Sequence, residues 1–378
     1  MSLLKKAAAV IVAAVLSLCL CVPVFAIDYG TDTRATADWL RAKVPTPSVG
    51  DEKVVLALLR GTYITPQQDY TTLYIDALMQ HLNQGNAATQ PVEDSYWQAM
   101  VLAACGMDLT TVAPSLLDVF KQPDTLDING KRMALQLFSA RTDLAESVGF
   151  DLGSSTAAIA AARNEDGGYG TGESNAVDTA RFLQALASKK SSNGVAEEAL
   201  LDPLAWLYMR PNDEGGFDMG GNPSATATAE VMVVLSCYGE NPDLLSTDAA
   251  SLSSALLYFS KGDGSFAETE DGEADVETTA ICLLGLASKV RFDRDLSKIY
   301  DFNDVPAYST PTSSSSPADA SSNLTNSGSN TVAKPSGSSL LLPALVAVGI
   351  VIIAVIVFIV LRRPAKGQSP KRKPPRGY

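Results

Sequence analysis

Along residues 51–290, apolar side chains recur at helical spacing in short runs, each closed by Gly, Pro or Asn. The clearest are "EKVVLALLRG", "YTTLYIDALMQHLNQG", "SYWQAMVLAACG", "GKRMALQLFSAR", "STAAIAAAR", "VDTARFLQALAS", "EEALLDPLAWLYMR", "TATAEVMVVLSCYG", "DAASLSSALLYFS" and "VETTAICLLGLAS". The weaker "ADWLRAK" and "PSLLDVFKQ" bring the predicted helices to twelve. No stretch sustains a strict apolar–polar alternation, so no strand is predicted and the fold class reads as all-α.

The twelve alternate in character. One set begins near Asp51, Asp94, Asp127, Asp178, Ala227 and Thr278, and most of its members are rich in Ala and other small residues. The starts are 43, 33, 51, 49 and 51 residues apart, one helix pair per step. A recurring period of this size predicts a repeat architecture of about six helical hairpins, stacked in a line or closed into a ring. Closure would hide the end faces and press the inner helices together, which suits small residues.

The loops repeat too. "NEDGGYGTGESNAVDTARFLQALA" at 164–187 returns as "NDEGGFDMGGNPSATATAEVMVVL" at 212–235 and, more loosely, as "KGDGSFAETEDGEADVETTAICLLGL" at 261–286. Gly allows a sharp turn after an outer helix. Tyr169, Phe217 and Phe266 fall at one equivalent place, where they are expected to plug the gap between hairpins. Ser, Thr or Asp then caps the next inner helix.

The two ends of the chain follow another pattern. Residues 1–26 combine Lys5 and Lys6, a short apolar run and small residues at Val24 and Ala26, the form of a secretory signal peptide cut near Ile27. Residues 340–361 are uncharged and apolar, long enough to cross a bilayer core of about 30 Å. The tail, 362–378, carries seven basic residues and no acid, so it is expected in the cytoplasm with the N-terminal part outside. Residues 309–339 are rich in Ser, Thr and Pro and have too little apolar surface to fold, which predicts a disordered stalk. The working part is therefore 27–308, and the expected location is the cell membrane, as a single-pass protein with an extracellular domain.

The formal net charge is −13, and the basic residues cluster at the two ends, so 27–308 is more acidic still. That excludes nucleic acid and anionic lipid as natural partners. Cys105, Cys237 and Cys282 each sit in an apolar helical run and read as buried thiols, with a Cys237–Cys282 bridge left open.

"DGGYG" with "VDTARFLQALA", and "EGGF" with "TATAEVMVVL", resemble the repeats shared by squalene and terpene cyclases, protein prenyltransferase β subunits and cobalamin carriers of the intrinsic-factor type. The resemblance covers about 164–290 clearly and 35–163 faintly. It implies an α/α toroid with a central cavity, whose ligands enter at the heads of the inner helices.

The chemistry of these relatives does not carry over residue by residue. Cyclases protonate an alkene with the middle Asp of a DxDDTA motif. Here the matching stretch is "NAVDTA", 175–180, with Val177 at the acid's place and only Asp178 retained. The third repeat gives "DVETTA", where Glu277 could act as an acid only if burial raised its pKa. Prenyltransferases hold zinc through Asp, Cys and His, whereas this chain has one histidine, His81, near the end of an outer helix. A serine hydrolase would lack a base for the same reason. The acidic run "ETEDGEADVE" at 268–277 does not follow EF-hand spacing and reads as a solvated turn. A pair of carboxylates for glycoside chemistry cannot be picked from spacing alone.

The sequence is thus read as a membrane-anchored α/α toroid that binds a small organic ligand, isoprenoid- or corrinoid-like by resemblance, with no cofactor or metal and without catalysis. Register on the repeat nominates Trp97, Asp178, Arg181, Thr226, Glu230 and Glu277 as ligand-binding residues, with Tyr96 as lining or core. A module that binds a cell-surface protein or wall polymer, and a divergent cyclase-like or carbohydrate-active enzyme, are the two alternatives.

Overall fold

The computed structural model describes residues 29–187, 197–245 and 250–308. The predicted signal peptide, stalk, membrane segment and basic tail lie outside the described residues. Among the described residues no helix is long and apolar enough to cross a membrane.

The described chain is all-α apart from one short hairpin. It has fourteen α-helices and two antiparallel three-residue strands, Phe217–Met219 and Asn222–Ser224. The helices cover all twelve predicted runs. The two additions, Leu109–Val112 and Thr142–Val148, are too short for an apolar period to show in sequence. The hairpin escapes an alternation test for the same reason: it turns on Gly220 and Gly221, both at positive φ.

Six helices form the inner set: α2 (Glu52–Arg60), α4 (Val92–Ala104), α7 (Ile128–Ala140), α10 (Ala176–Leu186), α12 (Ala225–Cys237) and α14 (Val276–Asp293). Each packs on the next, and α14 packs back on α2, so the contacts run in a closed circuit. Several start at a side-chain cap, the usual way to satisfy free N-terminal N–H groups. Asp127 accepts from Gly130 N, Asn175 from Asp178 N, Ser224 from Ala227 N and Asp275 from Thr278 N. Small residues let the helices approach closely. A Cβ on Gly285 of α14 would lie 3.0 Å from Cα and Cβ of Ala229 on α12.

The outer elements lie beside this circuit. Pro114–Asp118 (α6) packs on α4, Leu152–Ala161 (α9) on α7, Glu197–Tyr208 (α11) on α10 and Leu252–Leu257 (α13) on α12. The partner of α14 is the first described helix, α1 (Tyr29–Lys43).

The repeated loops do one job three times. The buried Tyr169, Phe217 and Phe266 each donate their backbone N–H to a threonine hydroxyl of the following inner helix. The acceptors are Thr179 at 2.9 Å, Thr228 at 3.0 Å and Thr279 at 3.0 Å. Just before each aromatic, the turn closes by a backbone bond: Asn164 N to Gly168 O, Asn212 N to Gly216 O, and Lys261 N to Ser265 O. The aromatic thus fills the inter-hairpin space while its N–H, which would otherwise be buried unpaired, is satisfied.

Past α14, residues 294–308 cross the C-terminal ends of the inner helices as a strap. Arg60 at the end of α2 donates to Ile299 O at 2.8 Å, Lys298 O at 2.9 Å and Asp301 O at 3.0 Å. Arg60 and Arg291 both bind the Asp304 carboxylate, at 3.0 and 2.6 Å. Ile299 and Phe302 are buried beneath the strap, and Tyr308 N reaches Gly106 O at 2.9 Å. Cys105, Cys237 and Cys282 are all free thiols, so the bridge left open by the sequence is absent.

Candidate functional site

The heads of the inner helices enclose two adjoining cavities. The first, about 350 Å³, lies between the starts of α2, α4 and α14 and is lined by Asp51, Lys53, Glu93, Trp97 and Glu277. The second, about 550 Å³, lies between the starts of α4, α7 and α10 and is lined by Glu93, Asp127, Asn129, Arg132, Asp178 and Arg181. Glu93 borders both.

In the first cavity the Lys53 ammonium sits 5.4 Å from the centre of the Trp97 ring and forms an ion pair with Glu277. The Trp97 indole N–H donates to Glu93 at 3.3 Å. Trp97 leans edge-on against Tyr96, which is core rather than lining: its hydroxyl is buried and donates to Gln136 at 2.9 Å. Glu277 is exposed and held by its lysine, in the manner of a surface ion pair.

Arg181 of α10, which lines the second cavity, donates Nε–H to Glu230 of α12 at 2.8 Å, and Gln184 donates to the other oxygen of the same carboxylate at 2.8 Å. Glu230 is only 6% exposed, so this pairing is what makes a buried carboxylate tolerable. The Glu230 charge in turn raises the pKa of Arg181 above its ordinary value. Arg132 of α7 faces the same cavity. Burial lowers its pKa from the usual value, and neighbouring Arg181 pushes in the same direction, opposed by Tyr96 and Glu230. The guanidinium stays charged all the same, because its pKa starts so high. Its centre is 6.0 Å from the Phe182 ring, and among the described residues no carboxylate lies within 4.0 Å of it.

The six nominated residues divide. Trp97 and Glu277 line the first cavity, Asp178 and Arg181 the second, and Glu230 supports Arg181 from behind. Thr226 lines neither cavity. Its hydroxyl donates to Glu268 at 2.5 Å and its N–H reaches the same carboxylate, so it fastens the 266–275 loop to the start of α12. Ser224 binds the other oxygen of Glu268. Asp178 is partly committed as well, accepting from Asn175 Nδ2 at 2.7 Å.

Lys53, Glu93 and Arg132 are lining residues that register did not nominate. A signal for Arg132 was present. Trp97, Arg181 and Glu230 are each the sixth residue of their inner helix, and Arg132 is the fifth of its own.

His81 lies at the last turn of α3 (Asp69–Asn83), where its ring contacts Gln90 at 3.3 Å and Asn86 at 3.2 Å and its carbonyl accepts from Asn86. Val177 is buried, while Asp127 accepts from Gly130 N at 2.7 Å. Among the described residues no group of three or more His, Cys, Asp or Glu is placed to hold a metal ion.

A third cavity, about 500 Å³, opens at the other ends of the inner helices under the strap, lined by Gln136, Ser139, Gln184, Lys298 and Tyr300. Gln136 and Gln184 stand one turn beyond Arg132 and Arg181 on the same helices. They form, with Tyr96 and Glu230, the layer between the head-side and strap-side cavities.

No protein-family model matches the chain, and no curated protein matches it either.

Proposed function

We propose that the protein is an α/α toroid displayed on the outer face of the cell membrane, and that it binds a small organic ligand in the head-side cavities without transforming it. Six inner helices in a closed circuit, five of them with an outer neighbour packed against them, support the toroid reading together with the repeat resemblance over 164–290. The predicted signal peptide and the apolar segment 340–361 support the location.

The observation that carries the binding reading is the second cavity. It has the volume of a small-molecule site and converging polar groups drawn from three helices. Its charge, and that of the first cavity, is more than a hydrocarbon chain would require. Of the two ligand classes the resemblance implies, that favours a polar, corrinoid-like molecule over an isoprenoid. Asp127 and Asp178 are engaged in helix-start hydrogen bonds and Glu277 in an ion pair, and Val177 occupies the place of the cyclase acid. These commitments favour a site that holds a ligand over one that donates a proton.

Native mass spectrometry of the full-length chain, released from detergent after gentle washing, tests the reading. A bound organic molecule of defined mass, displaced from a Glu230→Gln variant, is the expected result. An unliganded mass that stays unchanged after soaking with corrinoids, polyprenyl lipids and wall oligosaccharides would sink it. In that case the interaction-module reading gains, and the exposed apolar residues Tyr208 and Met209 at the end of α11 are where a protein partner would be sought.

A further inference from the structure

The ligand has a recognisable inner end. We infer that Arg132 and Arg181 form an oxyanion-binding centre in the second cavity, one that takes a carboxylate or phosphoryl group of the ligand. This inference rests on the cavity-binding reading above and names the chemistry of the group that enters deepest.

Three observations carry it. First, two guanidinium groups from different helices line the same cavity of about 550 Å³. Like charges brought together in a partly buried space repel, and the arrangement is stable only if something negative lies between or beside them. Glu230 bonds Arg181 at Nε, and the charges of Glu230 and Glu93 act on Arg132 only from a distance, without contact to its guanidinium. Second, that bond fixes the orientation of Arg181 while leaving its two terminal nitrogens without an acceptor among the described residues. Third, the Arg132 fork has neither an ion-pair partner nor a hydrogen-bond acceptor among the described residues, only the Phe182 ring at 6.0 Å. The planar fork of arginine matches the spacing of carboxylate and phosphate oxygens, so two such forks facing one space are suited to bidentate capture.

The rim carboxylates supply negative charge to the same space, but among the described residues none lies within 4.0 Å of either guanidinium, so none occupies the forks. Asp127 accepts from Gly130 N, Asp178 from Asn175 Nδ2, and Glu93 from the Trp97 indole. They favour an oxyanion carried on a larger neutral or cationic body, with Asn129 as a further polar contact on the way in.

The test is calorimetric titration of the full-length protein with inorganic phosphate and, separately, acetate, each at constant ionic strength against a chloride control. The expected result is saturable binding of at least one of them, weakened about 10-fold or more in Arg132→Gln, the loss anticipated for a charged hydrogen bond. Arg132→Lys, which keeps the charge and loses the fork, should fall between. Arg132 makes no ion pair, so Arg132→Gln should melt within a few degrees of wild type, which separates lost binding from lost folding. Preference for phosphate points to a phosphorylated ligand, and preference for acetate to a carboxylic acid. Binding of neither above chloride, or equal binding by Arg132→Gln, overturns the inference. Native mass spectrometry of the same preparations separates the two claims. An organic ligand retained equally by wild type and Arg132→Gln leaves the cavity reading standing and removes the oxyanion centre. Arg132-dependent anion binding with no organic ligand under any soak does the reverse.

Discussion

At the scale of single residues, the site is organised by one buried carboxylate. Glu230 holds Arg181 and Gln184 at once, and among the described residues it is the one carboxylate in contact with Arg181. Glu230→Ala should therefore destabilise the fold by about 3 kcal/mol, the lower end of the range for breaking a buried pair, because Arg181 still faces a cavity. Chemical denaturation would measure it. A loss under about 1 kcal/mol would mean that Arg181 finds another acceptor. Part of this centre was legible in the sequence. Arg181 and Glu230 lie in the two best-matched repeats, so register alone aims them at the axis. Arg132 was harder to place, because no Gly-aromatic loop precedes its helix to set the phase, and it stands fifth where Trp97, Arg181 and Glu230 stand sixth. Thr226 illustrates the opposite error. It has the right register, but Glu268 from the next loop claims its hydroxyl, and a contact 42 residues distant leaves no trace in local pattern.

At the scale of elements, the unit that recurs is a loop aromatic tied to a helix threonine. Thr228→Val keeps the shape of the side chain and removes the acceptor for Phe217 N–H. It should cost about 1–3 kcal/mol, the penalty for a buried donor left unpaired. Thermal unfolding of this variant beside Thr228→Ser, which keeps the hydroxyl, gives the measurement, and a loss in Thr228→Ser with none in Thr228→Val would show that methyl packing and not the hydrogen bond matters. The tight crossing of α12 and α14 gives a second expectation. Gly285→Val pushes two methyl groups into Ala229 and should destabilise by about 1–3 kcal/mol, as overpacking does. Helix positions were readable because each inner helix carries its own apolar period and four of the six start at a side-chain cap. The closed circuit was not, since period alone is equally satisfied by a line of hairpins, and the contact of α14 with α2 that decides between them spans most of the domain.

At the scale of the whole molecule, the strap decides how firmly the far side is shut. Burial pushes the Asp304 carboxyl up, but the hydrogen bond from Ser297 and the Arg60 and Arg291 guanidinia outweigh it, so its pKa lies below the ordinary carboxylate value. A depressed folded-state pKa stabilises fully above the unfolded value, about 3.9 for Asp, and the benefit fades as pH falls through the folded one. Asp304→Asn should accordingly melt below wild type at pH 7, and the gap between the two should narrow below about pH 4. A gap that persists unchanged at pH 3 would assign the effect to packing rather than to charge.

The place of α1 has a consequence in time. This helix is made first, yet its partner α14 lies more than 230 residues further along the chain. As the chain emerges, the middle hairpins can settle one after another from neighbours already present. The opening helix must wait for the end of the domain. Contacts between such distant segments form slowly because the intervening loop has to be closed first. Folding of this domain is therefore expected to end with α1 docking onto α14 as the final, rate-limiting step.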